Sequence, residues 1–122
     1  MIRTFVDPEA VLLQPAPNLT AGAERDADGW SRATHVQRWF DHEVKARYNF
    51  DPTGRLQSID LSAPDAATLL REMRIDLGAP DEEGPSPQFL NSMTYARWVR
   101  GAVTFVLEDY APGCEIAITP AR

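Results

Sequence analysis

The chain has 122 residues, 43% of them hydrophobic and 25% charged, with a net charge of −6. Such a length fits a single domain, 1–122, whose core needs neither a disulfide nor a metal. Acidity argues against nucleic-acid binding, which relies on clustered Lys and Arg, and Lys45 is the only lysine. No apolar run approaches the roughly 20 residues that a membrane-spanning helix requires, and the lone Cys114 allows no internal disulfide. The expected chain is soluble and cytoplasmic, or periplasmic if a leader segment preceded it.

Residues 2–6 and 10–13 each suit a short strand. Residues 15–29 are turn-rich and polar, which predicts a long surface loop. Residues 34–40 predict a strand with Val36 and Phe40 on one face and Trp39 on the other. Val44, Ala46, Tyr48 and Phe50 then alternate with Lys45, Arg47 and Asn49, so one set faces a core and the other water. Asp51-Pro52-Thr53-Gly54 supplies turn chemistry: Pro presets φ, Asp bonds the backbone ahead, and Gly accepts positive φ. The return strand is 55–61. Leu56 is out of phase with Ile59 and Leu61, which predicts a bulge.

A helix over about 64–77 follows. Ser62 to Asp65 reads as a capping box, with Pro64 in the first turn. Ala66, Leu69, Leu70, Met73 and Leu77 form one apolar stripe, with Leu70 at its middle and facing the sheet. Gly78 suits a left-handed cap, and Pro80 stops continuation. Residues 78–92 predict a second surface loop. Strands at 94–99, 102–108 and 115–119 complete a meander, with Val103, Phe105, Leu107, Ile116 and Ile118 inward. The order strand, hairpin, helix, meander predicts an α+β fold: an antiparallel sheet of five or six strands with one main helix on one face.

No local pattern demands catalysis, a metal or another cofactor. In a strand, Asp41 and Glu43 share a face while His42 points to the other, and His35 stands apart, so surface histidines are the simpler reading. Cys114 lies in a Pro-Gly turn without a local base, which favours an inert thiol. Asn18-Leu19-Thr20 matches a glycosylation sequon that matters only after secretion. Glu108 and Asp109 are adjacent in a strand and point to opposite faces. Asp81-Glu82-Glu83 lies in the second loop, either as a solvated acidic run or as a docking surface for a basic partner. Trp39, on the second face, is the other partner-contact candidate.

The run Tyr48-Asn-Phe50-Asp-x-x-Gly54-Arg-Leu56-x-x-Ile59-Asp-Leu61, a short helix, Leu77-Gly78-x-Pro80-Asp81, then Trp98 and Gly101-Ala-Val103 resembles small bacterial immunity proteins. Those proteins block a cognate toxin of polymorphic or contact-delivered systems. The resemblance covers about residues 44–108. It implies a non-enzymatic protein-binding domain whose partner is a toxin domain, with no shared catalytic or toxin-contacting residues to transfer, and the net charge of −6 suits a basic toxin domain. Two other readings stay open: a small enzyme or ligand-binding domain with a cleft between sheet and helix, and an accessory subunit of a phage or secretion assembly.

Overall fold

The computed structural model describes residues 3–85, 94–110 and 112–121. Among these residues nine strands form one sheet: β1 Arg3–Thr4, β2 Glu24–Arg25, β3 Ser31–Trp39, β4 His42–Phe50, β5 Leu56–Ala63, β6 Glu82–Pro85, β7 Thr94–Arg100, β8 Val103–Asp109 and β9 Cys114–Pro120. Two α-helices accompany them, α1 at Pro8–Val11 and α2 at Ala66–Leu77. The sheet order is β1-β3-β4-β5-β9-β8-β7-β6, and β2 pairs with β3. The α+β class therefore holds, while the expected five or six strands become nine. The sheet is also mixed, because β1 runs parallel to β3.

The central hairpins follow from local chemistry. The Asp51 carboxylate accepts the Thr53 and Arg55 backbone N–H groups at 2.9 and 3.1 Å, and Gly54 takes φ +87°. Asn49 pairs with Ser58 but Phe50 with Leu56, so Gln57 is the extra residue of the expected bulge. That extra residue returns Leu56 to the core beside Ile59 and Leu61.

Strand β3 reverses the expected facing. Phe40 and Asp41 both have positive φ, at 49° and 61°, the pattern of a two-residue I′ hairpin turn. Trp39 then pairs with His42 and Gln37 with Val44. Ala33, Gln37 and Trp39 share the core side with Val44, Ala46 and Tyr48, while Val36 is 48% exposed on the opposite side.

Helix α2 starts two residues later than predicted. Asp65, not Ser62, is the N-cap, accepting the Thr68 N–H at 3.1 Å, because β5 continues through Ala63. The buried stripe is Ala66, Leu69 and Met73; Leu70 and Leu77 are only half-buried at its margin. Gly78 caps the helix with φ +85° and donates to the Arg74 carbonyl.

The N-terminal segment departs furthest from expectation. Residues 8–11 are a helical turn capped by Asp7, not a strand. The 15–29 stretch contains a 3₁₀ turn at Pro17–Leu19 and the short β2, and Leu19 is buried. Phe5, Leu12 and Leu19 join α2 in covering one face of the sheet. Of the predicted 78–92 loop, Glu82–Pro85 forms the edge strand β6, and the rest from 86 onward lies outside the described residues, as does residue 2 of the predicted 2–6 strand. The core between α2 and the sheet is filled by Leu69, Met73, Trp98, Tyr48 and Ile118, all fully buried. Among the described residues no helix is long and apolar enough to cross a membrane.

Candidate interaction surface

All the covering elements lie on one face, so the opposite face of the sheet is open among the described residues. Its rows follow from the strand registers. One row runs Val36, Lys45, Ser62, Glu115, Glu108, Tyr95. The next runs Thr34, Arg47, Asp60, Ala117, Val106, Arg97, Glu82. The β3–β4 side carries four cations, Arg32, Arg38, Lys45 and Arg47, against one carboxylate, Glu43 opposite Arg38. The β5–β9–β8 centre is acidic, with Asp60, Glu115 and Glu108.

Some of these charges are neutralised in place. Arg47 Nη2 donates to Asp60 Oδ2 at 3.1 Å, and Asn49 Nδ2 donates to the same oxygen at 2.9 Å. Arg32 pairs with Asp26, and Arg97 lies 3.9 Å from Glu82. Glu108 and Glu115 differ. They are direct cross-strand partners, an arrangement that places like charges side by side. Neither has an ion-pair partner among the described residues, and Glu108 Oε2 is shielded from solvent without a hydrogen bond.

A cavity of about 360 Å³ opens at this place. Lys45 and Arg47 form one wall, Glu108 and Glu115 the other, and Asp60 and Ser62 part of the floor. It shares Thr34 and Arg47 with a neighbouring depression of about 300 Å³ toward β2. It shares Lys45 and Ser62 with another of about 450 Å³ beside Val36 and Pro64. The three together make a trough across the open face, polar at its centre and toward β2 and apolar beside Val36 and Pro64.

Of the sequence-predicted site residues, Glu82 stands at the β6 end of this face, and none of the four lines the trough. Asp81 accepts the Val99 N–H and Arg100 Nη1, both at 2.7 Å. These bonds, the backbone one first, hold its carboxyl below the usual range. Glu82 accepts the Tyr95 hydroxyl, and Glu83 pairs with Arg74. The acidic run is thus tied to β7 and α2 while its three side chains stay exposed. Trp39 sits on the core side, half-buried, stacked on Phe40 at 4.7 Å and near Phe5 at 5.2 Å and Phe105 at 6.5 Å.

The remaining candidates divide in the same way. His35 and His42 are half-buried rather than freely exposed. His35 Nε2 donates to the Leu19 carbonyl at 3.2 Å, fastening the N-terminal segment, and its ring lies 5.8 Å from that of Tyr48. Tyr48 donates to Gln37, the buried polar residue of the core, and burial raises its hydroxyl pKa well above the ordinary value. Cys114 is buried, and burial first, then the nearby Asp109, Asp65 and Glu115, pushes its thiol up to about 11. No group of three or more His, Cys, Asp or Glu that could hold a metal exists among the described residues.

Neighbours along one strand do not reveal the Glu108–Glu115 pair, which lies across two strands. The signal existed: the turn after β8 sets which residues of β8 and β9 face each other. Set against known proteins, the chain matches no family model, no curated protein and no solved structure.

Proposed function

We propose that this chain is a non-enzymatic protein-binding domain, an immunity protein that binds and neutralises a cognate bacterial toxin. The observation that carries this reading is the open sheet face. A sheet with one face buried and the other presenting ordered, partly unneutralised charge suits recognition of another macromolecule. The face offers small apolar positions, Val106 and Ala117, at its centre, flanked by Asp60, Arg97, Glu108 and Glu115 and, on the remaining side, by Thr104 and Thr119. That is the pattern of a dry contact inside a polar rim. Net charge −6 favours encounter with a basic partner.

The test is capture of a partner from the source cell by the tagged chain, followed by calorimetry with the purified partner. A saturable complex whose formation abolishes the partner's toxicity supports the reading. Val106→Arg, which places a bulky cation at the face centre, should abolish binding while leaving the circular dichroism spectrum unchanged. A captured partner that remains toxic in the saturated complex would sink the immunity role. Full binding by the Val106→Arg variant would remove this face as the contact.

A further inference from the structure

We propose that the trough at Glu108 and Glu115 receives an arginine or lysine side chain from the protein partner, with Lys45 on the facing wall taking a carboxylate of that same partner. This rests on the protein-binding reading above and names the chemistry of its contact.

Three observations converge. Glu108 and Glu115 are adjacent across the β8–β9 ladder, so in the free chain their charges oppose each other. Glu108 is half-buried, and its Oε2 is shielded from solvent without a hydrogen bond, so that oxygen has lost water and gained no donor. The nearby cations do not satisfy it: Arg47 is held by Asp60, Arg97 lies beside Glu82, and Lys45 forms no ion pair among the described residues. The stretch 86–93, SPQFLNSM, contains no basic residue that could serve instead.

The space fits as well. The cavity of about 360 Å³ has both signs of charge on opposite walls. A guanidinium or ammonium entering between the two glutamates would offset their repulsion and, once the Glu108 carboxylate turns its shielded oxygen toward the opening, donate to it. A guanidinium can donate to both carboxylates at once, which an ammonium on a flexible stem does less well. Lys45, two strands away across the small Ser62, then remains for an acidic group on the partner.

Argininamide serves as the probe. Titrated into the full chain and followed by carboxyl-carbon NMR, it should give saturable shifts at Glu108 and Glu115 with millimolar affinity. Lysine amide acetylated on both its α and ε nitrogens, which has no cation, should give none. Glu108→Gln with Glu115→Gln should weaken argininamide at least tenfold and leave the chain folded, since the double change removes a like-charge contact. Shifts confined to Asp81, Glu82 and Glu83, or equal binding by the double variant, would overturn the proposal.

The captured partner separates the two levels. If it binds the double variant as tightly as the native chain, the trough is not the cation site although the protein-binding reading stands. If no partner is captured while argininamide still binds Glu108 and Glu115, the protein-binding reading fails and the cation site stands.

Discussion

Arg100 bridges Asp81 to the end of helix α2: its Nη1 donates to Asp81 Oδ2 at 2.7 Å while its Nε donates to the Leu77 carbonyl, also at 2.7 Å. Nη2 reaches the Ala79 carbonyl at 2.8 Å. One guanidinium therefore satisfies the carbonyls at the helix C-terminus and locks β7 to the segment after α2. Trp98 reinforces the join by donating its indole N–H to the Gly78 carbonyl at 2.9 Å.

From this follows the first prediction. Arg100→Ala should cost about 1–3 kcal/mol, since it leaves several acceptors of the join without a donor. Asp81→Asn should lower the thermal midpoint clearly, whereas Glu82→Gln should leave it nearly unmoved. Thermal melts followed by circular dichroism decide the matter. Equal midpoints for the Asp81 and Glu82 variants would return Asp81 to the role of a free surface charge.

The core makes the second prediction. Leu69 is fully buried between α2 and the sheet, while Leu70 is half-buried at the margin. Leu69→Ala should cost about 2–5 kcal/mol in urea unfolding. Leu70→Ala should cost less than that, and Arg71→Ala, on the exposed side, about 0.5 kcal/mol or less. A larger loss at Leu70 than at Leu69 would mean the helix is rotated from the orientation described.

These contrasts show where sequence patterns speak and where they do not. The hairpin over 42–63 and helix α2 were readable because each boundary carries its own signal: Asp51 and Gly54 at the turn, Asp65 and Gly78 at the helix ends. Strands β1, β2 and β6 have two to four residues each, too short for any alternation. Their pairing is imposed by β3 and β7, so nothing local announces them. The phase of β3 was ambiguous because Ala33 and Gln37 look no more apolar than Thr34 and Val36. The turn at Phe40 and Asp41 resolves it: two residues there put Gln37 opposite Val44, already assigned inward. The same counting from the turn after β8 puts Glu108 opposite Glu115. The candidate site thus depends on register, which adjacent-residue comparison along one strand does not see.

The third prediction concerns acid. Asp51, Asp65 and Asp81 all have carboxyl pKa values lowered from the ordinary 3.8. The leading causes are the Thr53 hydroxyl for Asp51, the Thr68 hydroxyl for Asp65 and the Val99 N–H for Asp81. Folding therefore favours the ionised forms. Their contribution is present above the unfolded value of 3.8 and is lost as pH falls through the lower folded values. Urea midpoints should decline steeply below about pH 4. Asp51→Asn, Asp65→Asn and Asp81→Asn combined should flatten that decline, and an unchanged slope would exclude these three as its source.

Cys114 provides the fourth. Its thiol, raised to about 11 and buried, is protonated and sheltered at neutral pH. Native protein at pH 8 should react with Ellman's reagent only as fast as it unfolds, and in denaturing urea it should react at once. Because the folded value lies above the unfolded one, stability from the neutral thiol is present below about pH 8.5 and is lost as pH rises toward the folded value. Rapid labelling of the native chain would mean that the β8–β9 turn opens readily.

The final prediction tests the docking of α1. Gly101 has φ +58° in the turn between β7 and β8, and a Cβ there would run into the Glu9 carboxylate. Glu9 Oε2 accepts the Ala102 N–H at 3.2 Å, so the carboxylate lies directly over the turn. Gly101→Ala combines a backbone penalty of about 1 kcal/mol at positive φ with displacement of that carboxylate. Glu9→Ala alone should cost less, because it removes only one exposed hydrogen bond. In the double variant the clash has no partner, so its loss should be smaller than the sum of the two single losses. The backbone penalty remains, so the double variant should still be less stable than Glu9→Ala. Strict additivity in urea unfolding would show that Glu9 does not rest on Gly101 in solution.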